Sequence, residues 1–177
     1  MTSTLPRFVS TLGLVALAAC AGTSGGGGET AAGAGHPLIG SPAPDFSVDL
    51  ANGKGKFALA KVKGKVVVVD FWATWCGPCK KSFPKLQELY TKYNASGMEL
   101  VGVSEDEENS GIAEFGANLG TKFPVGWDSG KSIAGQWQPK SMPTTFVVDR
   151  NGIVRFAHLG YHDGDETEIE KEVKSLL

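Results

Sequence analysis

Beyond Pro37 the apolar residues fall into short runs whose spacing switches between strand-like and helix-like. Phe46, Val48 and Leu50 alternate with other residues, which predicts a strand over residues 45–50. Asn52-Gly53 turns the chain, and residues 57–60 return as a second short strand, so the domain opens with a β-hairpin extension. Val66-Val67-Val68-Val69-Asp70-Phe71 is a continuous β-branched run, the pattern of a strand covered on both faces. Behind it Phe83, Leu86, Leu89, Tyr90 and Tyr93 recur at helical spacing. They predict a helix over residues 77–95, kinked at Pro84. Residues 98–103 form the next strand. Ile112, Phe115 and Leu119 mark a second helix, for which Ser104 or Ser110 offers a cap. A short strand at 123–127 and a helical turn at 131–137 follow. Strands at 144–149 and 153–159 are joined by a tight hairpin at Arg150-Asn151-Gly152. Ile169, Val173, Leu176 and Leu177 give a C-terminal amphipathic helix. This order predicts an α/β domain with a central mixed β-sheet flanked by helices on both faces.

The first 36 residues follow neither pattern. Arg7 precedes an apolar stretch from Phe8 to Ala19, which reads as a secretory signal peptide and is too short to span a bilayer comfortably. Leu17-Ala18-Ala19-Cys20 resembles the bacterial lipobox. That resemblance implies that Cys20 becomes the first mature residue and carries acyl chains. A soluble secreted protein with an incidental cysteine is the simpler alternative. Residues 21–35, AGTSGGGGETAAGAG, cannot build an apolar face and read as a flexible linker spanning on the order of 20 Å. The expected organisation is therefore a signal peptide at 1–19, a lipidated Cys20 with its linker at 20–36, and one folded domain at 37–177. Ala21 follows the cysteine, and resemblance to sorted lipoproteins implies the outer membrane, facing the periplasm, in a Gram-negative host.

Composition narrows the function. The 41% apolar content suits one packed domain, and a formal net charge of −2 gives no electrostatic footprint for nucleic acid. The chain has three cysteines. In an exported protein that leaves one odd thiol. Lipidation of Cys20 removes it and leaves Cys76 and Cys79.

Trp75-Cys76-Gly77-Pro78-Cys79 stands directly after the buried strand and opens the first helix. Dithiol exchange needs one exposed thiolate and a partner close enough to close on it. Cys76 at the helix N-terminus meets unpaired N–H groups and the positive end of the macrodipole, which draws its pKa from about 8.5 toward roughly 7. Cys79 lies a turn deeper. Cys76 is thus expected to attack a substrate disulfide and Cys79 to resolve the mixed disulfide. Half a zinc site is the competing reading, but no second cysteine pair or spaced histidines exist to complete it. A purely structural bridge across two residues closes too small a loop to stabilise much. No cofactor beyond the redox-active disulfide is expected.

The stretch VVVDFWATWCGPCK, Val67–Lys80, resembles thioredoxin. Over residues 37–177 the chain is similar to the TlpA/ResA-type envelope thioredoxins, which share features with the alkyl hydroperoxide reductase and thiol-specific antioxidant proteins. The resemblance implies a thioredoxin fold. Ser141-Met142-Pro143-Thr144-Thr145 resembles that family's cis-proline loop, which implies a cis Met142–Pro143 bond packed against the dithiol. It also implies that the backbone before the proline pairs with an incoming substrate. Trp75, Gly77, Pro78, Met142, Pro143 and Thr144 are the expected substrate contacts, with Trp75 as a flat apolar rim. Asp70 sits where thioredoxin carries a carboxyl that takes or relays the proton of the deeper cysteine. Many envelope relatives carry Asn there. Thioredoxin's lysine partner for that acid has no counterpart in Val101-Gly102-Val103.

The expected activity is reduction of disulfides in exported proteins, such as cytochrome c haem-site or metal-centre cysteines. Electrons would come from a transmembrane thiol reductase, and the chain would act as a monomer. Two other activities compete. A thiol peroxidase of peroxiredoxin type needs Thr or Ser three residues before the attacking cysteine, where this chain has Ala73, with Thr74 one residue late. A copper(I) carrier or assembly chaperone is suggested by two soft thiolates, although such relatives often space them by three residues and add a histidine. Trp72, Trp127 and Trp137 are read as packing residues. Lys80, Lys81 and the acidic run Glu105–Glu108 are read as solvated, and His36, His158 and His162 as surface or hairpin residues.

Overall fold

A computed structural model describes residues 1–2 and 35–177, so the signal-like segment, Cys20 and nearly all of the linker lie outside the described residues. Strands β1 (Ser47–Asp49) and β2 (Lys56–Ala58) pair antiparallel, with Val48 opposite Phe57. The main sheet holds β3 (Val66–Trp72), β4 (Met98–Ser104), β5 (Val125–Trp127), β6 (Thr144–Val148) and β7 (Val154–Leu159), in the order β5-β4-β3-β6-β7. The β3–β4 and β4–β5 pairs are parallel, whereas β6 runs antiparallel to both β3 and β7. Helices α1 (Gly77–Tyr93), α2 (Ile112–Asn118), α3 (Ser132–Trp137) and α4 (Asp165–Leu176) complete the domain.

All seven residues of β3 are buried, as the unbroken apolar run requires of a central strand. Strand alternation sends its side chains to two cores. Val66, Val68 and Trp72 meet Cys79, Phe83 and Leu86 of α1, Ile112 of α2, and Ile169 and Val173 of α4. Val67, Val69 and Phe71 meet the β1–β2 hairpin through Phe46, Val48 and Phe57, and α3 through Ile133 and Trp137. Three helices therefore cover one face, and the hairpin with α3 covers the other. The hairpin seats closely on β5. A Cβ on Gly126 would lie 2.4 Å from Val48 Cγ1, so only glycine permits that approach.

Boundaries differ from expectation where hydrogen bonds rather than polarity decide them. The first two strands are only three residues each, and Leu59–Val62 closes into a 3-10 turn instead of continuing β2. Neither serine caps α2. The helix starts at Gly111, with φ of 84° and no side-chain cap, while the Ser104 hydroxyl donates to Asp106. His36 belongs to the folded domain. It is buried, its Nε2 lies 3.0 Å from the Gln138 carbonyl, and its ring meets Phe146 edge-on at 4.8 Å. His158 is also buried, paired with Glu172 of α4 at 2.7 Å. Of the acidic run, Glu107 and Glu108 are exposed, but Glu105 and Asp106 are buried. Among the described residues no helix is long and apolar enough to cross a membrane.

Candidate active site

In a twisted sheet of this kind, the space beyond the carboxyl ends of the central strands is where ligands are met. The chain leaves β3 there, makes a short turn and enters α1. Cys76 is the N-cap of α1, with extended backbone angles of −78° and 108°, and its Sγ accepts the Cys79 N–H at 3.2 Å. Pro78 stands in the first turn, where its missing N–H costs nothing. Cys76 and Cys79 are joined by a disulfide, with Cα atoms 5.3 Å apart. Both sulfur-bearing residues are nearly closed to solvent in this oxidised form, Cys76 at 4% and Cys79 at 0%, so the attacking position is more covered than the sequence suggested. Once the bridge opens, a thiolate on Cys76 keeps the same N–H donor and the dipole of a 17-residue helix.

The Met142–Pro143 bond is cis, and the loop that carries it faces the dithiol. An open groove of about 440 Å³ runs between Trp75–Pro78 on one side and Pro139–Met142 on the other. Trp75 is 68% exposed and forms the groove's apolar wall. Among the described residues the backbone N–H and C=O of Met142 have no partner. Thr144 and Pro143 do not line this groove. Thr144 is fully buried and its hydroxyl donates to the Ser141 carbonyl at 2.6 Å, closing the loop from behind. The Pro143 carbonyl is taken by the Gly160 N–H at 2.7 Å.

Asp70 points to the face that holds Cys79, between Val68 and Trp72 in the strand alternation. It is 0% exposed. Its Oδ1 accepts the Thr145 hydroxyl at 2.7 Å and its Oδ2 has no partner among the described residues. Burial raises its pKa to about 7, against the opposing pull of the Thr145 hydrogen bond. On β4 the position opposite Asp70 is Gly102, and the Trp72 indole lies over it, with Nε1 3.1 Å from where a Cβ would stand. A lysine partner on that strand is thereby replaced by an aromatic ring.

One functional residue escaped the sequence reading. Asp106, two residues past β4, accepts the Thr74 N–H at 3.0 Å, the Thr74 hydroxyl at 2.7 Å and the Ser104 hydroxyl at 2.7 Å. It ties the turn before Trp75-Cys76 to the end of the neighbouring strand. Only the acidic run hinted at it, since contacts across 32 residues leave no local signal. Asp106→Ala leaves three donors unpaired, the Thr74 N–H, the Thr74 hydroxyl and the hydroxyl of buried Ser104. We expect a loss of roughly 2–3 kcal/mol, read as a lower urea midpoint, and a wild-type midpoint would remove the tether from the site's architecture.

The comparisons with known proteins agree with this geometry. The family model for the AhpC/TSA family matches residues 39–157. The thiol-disulfide oxidoreductase ResA of Bacillus thuringiensis is 38% identical over 130 residues, covering 73% of this chain and 75% of that protein. ResA of Geobacillus kaustophilus is 32% identical over 138 residues, covering 78% of each chain. A Chlorobium tepidum structure assigned as the thiol:disulfide interchange protein DsbE superposes with a TM-score of 0.74 at 35% identity, covering 78% of this chain and 96% of that one. These likenesses establish the thioredoxin fold and thiol–disulfide oxidoreductase activity, with which the Cys76–Cys79 disulfide is consistent. The chain belongs to the AhpC/TSA family and is a thiol–disulfide oxidoreductase of the TlpA/ResA type.

Proposed function

We propose that the chain is a lipid-anchored reductant of disulfides in exported proteins, working on the outer side of a bacterial membrane. The observation that carries the reading is a disulfide at the start of a long helix, set beside a groove whose far wall offers a Met142 backbone unpaired among the described residues. A client segment laid against Met142 adds a strand-like contact and brings its own disulfide to Cys76.

The sulfur steps balance as follows. The Cys76 thiolate attacks one client sulfur, and the other leaves as thiolate. Asp70 takes the proton of Cys79, whose sulfur then attacks Cys76 and expels the first client sulfur. The client gains two electrons and the Cys76–Cys79 bridge forms. A membrane thiol reductase restores the dithiol. Gly77-Pro78 between the cysteines favours the reducing direction, as in thioredoxin with a potential near −270 mV rather than about −120 mV for strong oxidants. The clients are disulfide-containing envelope proteins, among them those whose cysteines receive haem or copper. Acyl chains on Cys20 tether the folded domain to the bilayer, and in a Gram-negative host the domain faces the periplasm from the outer membrane. The chain acts as a monomer.

Cys79→Ser tests the reading. In cells this variant should accumulate mixed disulfides between Cys76 and exported proteins, identified after alkylation. Capture of none, while the wild type is held reduced, would overturn the reductase role.

A further inference from the structure

Asp70 poses a problem of access. A base that accepts the Cys79 proton must pass it on before the next cycle, yet Asp70 has no solvent exposure. Cys79 on the same face is fully buried, Val68 and Trp72 flank Asp70 along the strand, and Gly102 with the Trp72 ring closes the β4 side. Its single hydrogen-bond partner among the described residues is Thr145.

The sheet register continues this line in one direction. Asp70 pairs with Thr145 on β6, and Thr145 pairs with His158 on β7. Directly opposed residues of paired strands share a face, with Cβ atoms about 4.5–5.5 Å apart. Asp70, Thr145 and His158 thus form a polar row across the helix-covered face of the sheet. β7 is the edge strand, and His158 there retains 8% exposure. Its Nε2 meets Glu172 Oε2 of α4 at 2.7 Å, and Glu172 Oε1 is buried without a partner among the described residues. Apart from this row, α1 turns Cys79 and Ser82 toward the face, with the Ser82 hydroxyl spent on the Cys79 carbonyl. β4 contributes Gly102, and α4 otherwise contributes Ile169 and Val173.

We propose that Asp70 exchanges its proton with solvent along this row, through the Thr145 hydroxyl to the His158–Glu172 pair at the sheet edge. The inference rests on the reading of Asp70 as the base for Cys79. The transfer conserves protons. Asp70 gives its carboxyl proton to Thr145 Oγ1, and the hydroxyl's own proton moves to the imidazole nitrogen that Glu172 does not hold. The Glu172 carboxylate stabilises the resulting imidazolium, which loses a proton to water. A hydroxyl has one donor and two acceptor sites, so Thr145 can serve both neighbours by rotating.

The oxidised protein provides the test, because its bridged cysteines do not titrate. After a pH jump from about 5 to about 9, on either side of the Asp70 value, time-resolved infrared follows the carboxyl band that Asp70→Asn removes. His158→Gln keeps an N–H for Glu172 but carries no proton, and touches no atom of Asp70. It should slow deprotonation of Asp70 at least about tenfold and leave the endpoint unchanged. Thr145→Val should slow it as much, and Thr145→Ser should restore the wild-type rate. If either folded variant, His158→Gln or Thr145→Val, relaxes as fast as wild type, the route is wrong. A separate result bears on the base itself. Should Asp70→Asn reduce client disulfides at the wild-type rate, Asp70 is no base for Cys79, whatever the infrared kinetics show.

Discussion

Cys76→Ser should reduce insulin disulfides no faster than dithiothreitol alone, a loss of at least about a thousandfold relative to wild type. A hydroxyl at this position remains protonated at neutral pH and forms no mixed disulfide. The variant is unusually clean because serine is a preferred N-cap. The Cys76 side chain already accepts the Cys79 N–H at 3.2 Å, and a serine oxygen at the same place continues that bond. The start of α1 is therefore held, and the activity lost is chemical rather than structural. Cys79→Ser should differ in kind. It retains the attacking sulfur, so it completes the first exchange and stops. Turnover in Cys76→Ser above about a hundredth of wild type would mean that Cys79, with no exposure in the first turn of α1, is the sulfur that clients reach.

The parts of this site that are local in sequence were legible, and the parts made by long-range register were not. Four consecutive valines followed by Asp70 and Phe71 can only be a strand buried on both faces, and the cysteine spacing at its end places a dithiol on the next helix. The same logic fails for Glu105 and Asp106. Their neighbours Glu107 and Glu108 are solvated, so the run reads as surface, but the loop leaving β4 folds the first two inward, with Asp106 held by Thr74 and Ser104. Burial and the nearby Asp128 carboxylate then raise Glu105 to about 7, partly offset by Lys131. His36 adjoins a glycine-rich stretch and is nonetheless enclosed by Gln138, 102 residues away. Thr145 reads as one more β-branched strand residue, and its bond to Asp70 depends on the β3–β6 register, which no local pattern encodes. The bond made by the Thr144 hydroxyl was hidden for a related reason. Adjacent strand residues face opposite ways, and the proline loop uses the Thr144 hydroxyl to close on itself.

Raising the pH from about 4 to about 8 should destabilise the oxidised wild type by on the order of 4 kcal/mol through Asp70 alone, and Asp70→Asn should remove that dependence. The sign follows from the proton balance. Asp70 has an unfolded pKa near 3.8 and a folded value of about 7, set mainly by burial. Below the unfolded value both states hold the proton and the group contributes nothing. Between the two values the folded chain keeps a proton that the unfolded chain has released, so stability falls with each rise in pH. Above the folded value both states are ionised and the loss is complete. Asparagine keeps an oxygen for the Thr145 hydroxyl, and its amide replaces Oδ2, which has no partner to lose among the described residues. Any fixed offset it introduces is the same at every pH, so the decisive quantity is the difference between the two proteins' urea-derived stabilities at each end of the range. Parallel curves would mean that Asp70 is already ionised in the fold near pH 5, and therefore too weak a base to take a proton from Cys79 at neutrality. Diverging curves would show a carboxyl that titrates near neutrality on the face that holds the deeper sulfur, which is the range in which a base can both accept that proton and give it up again.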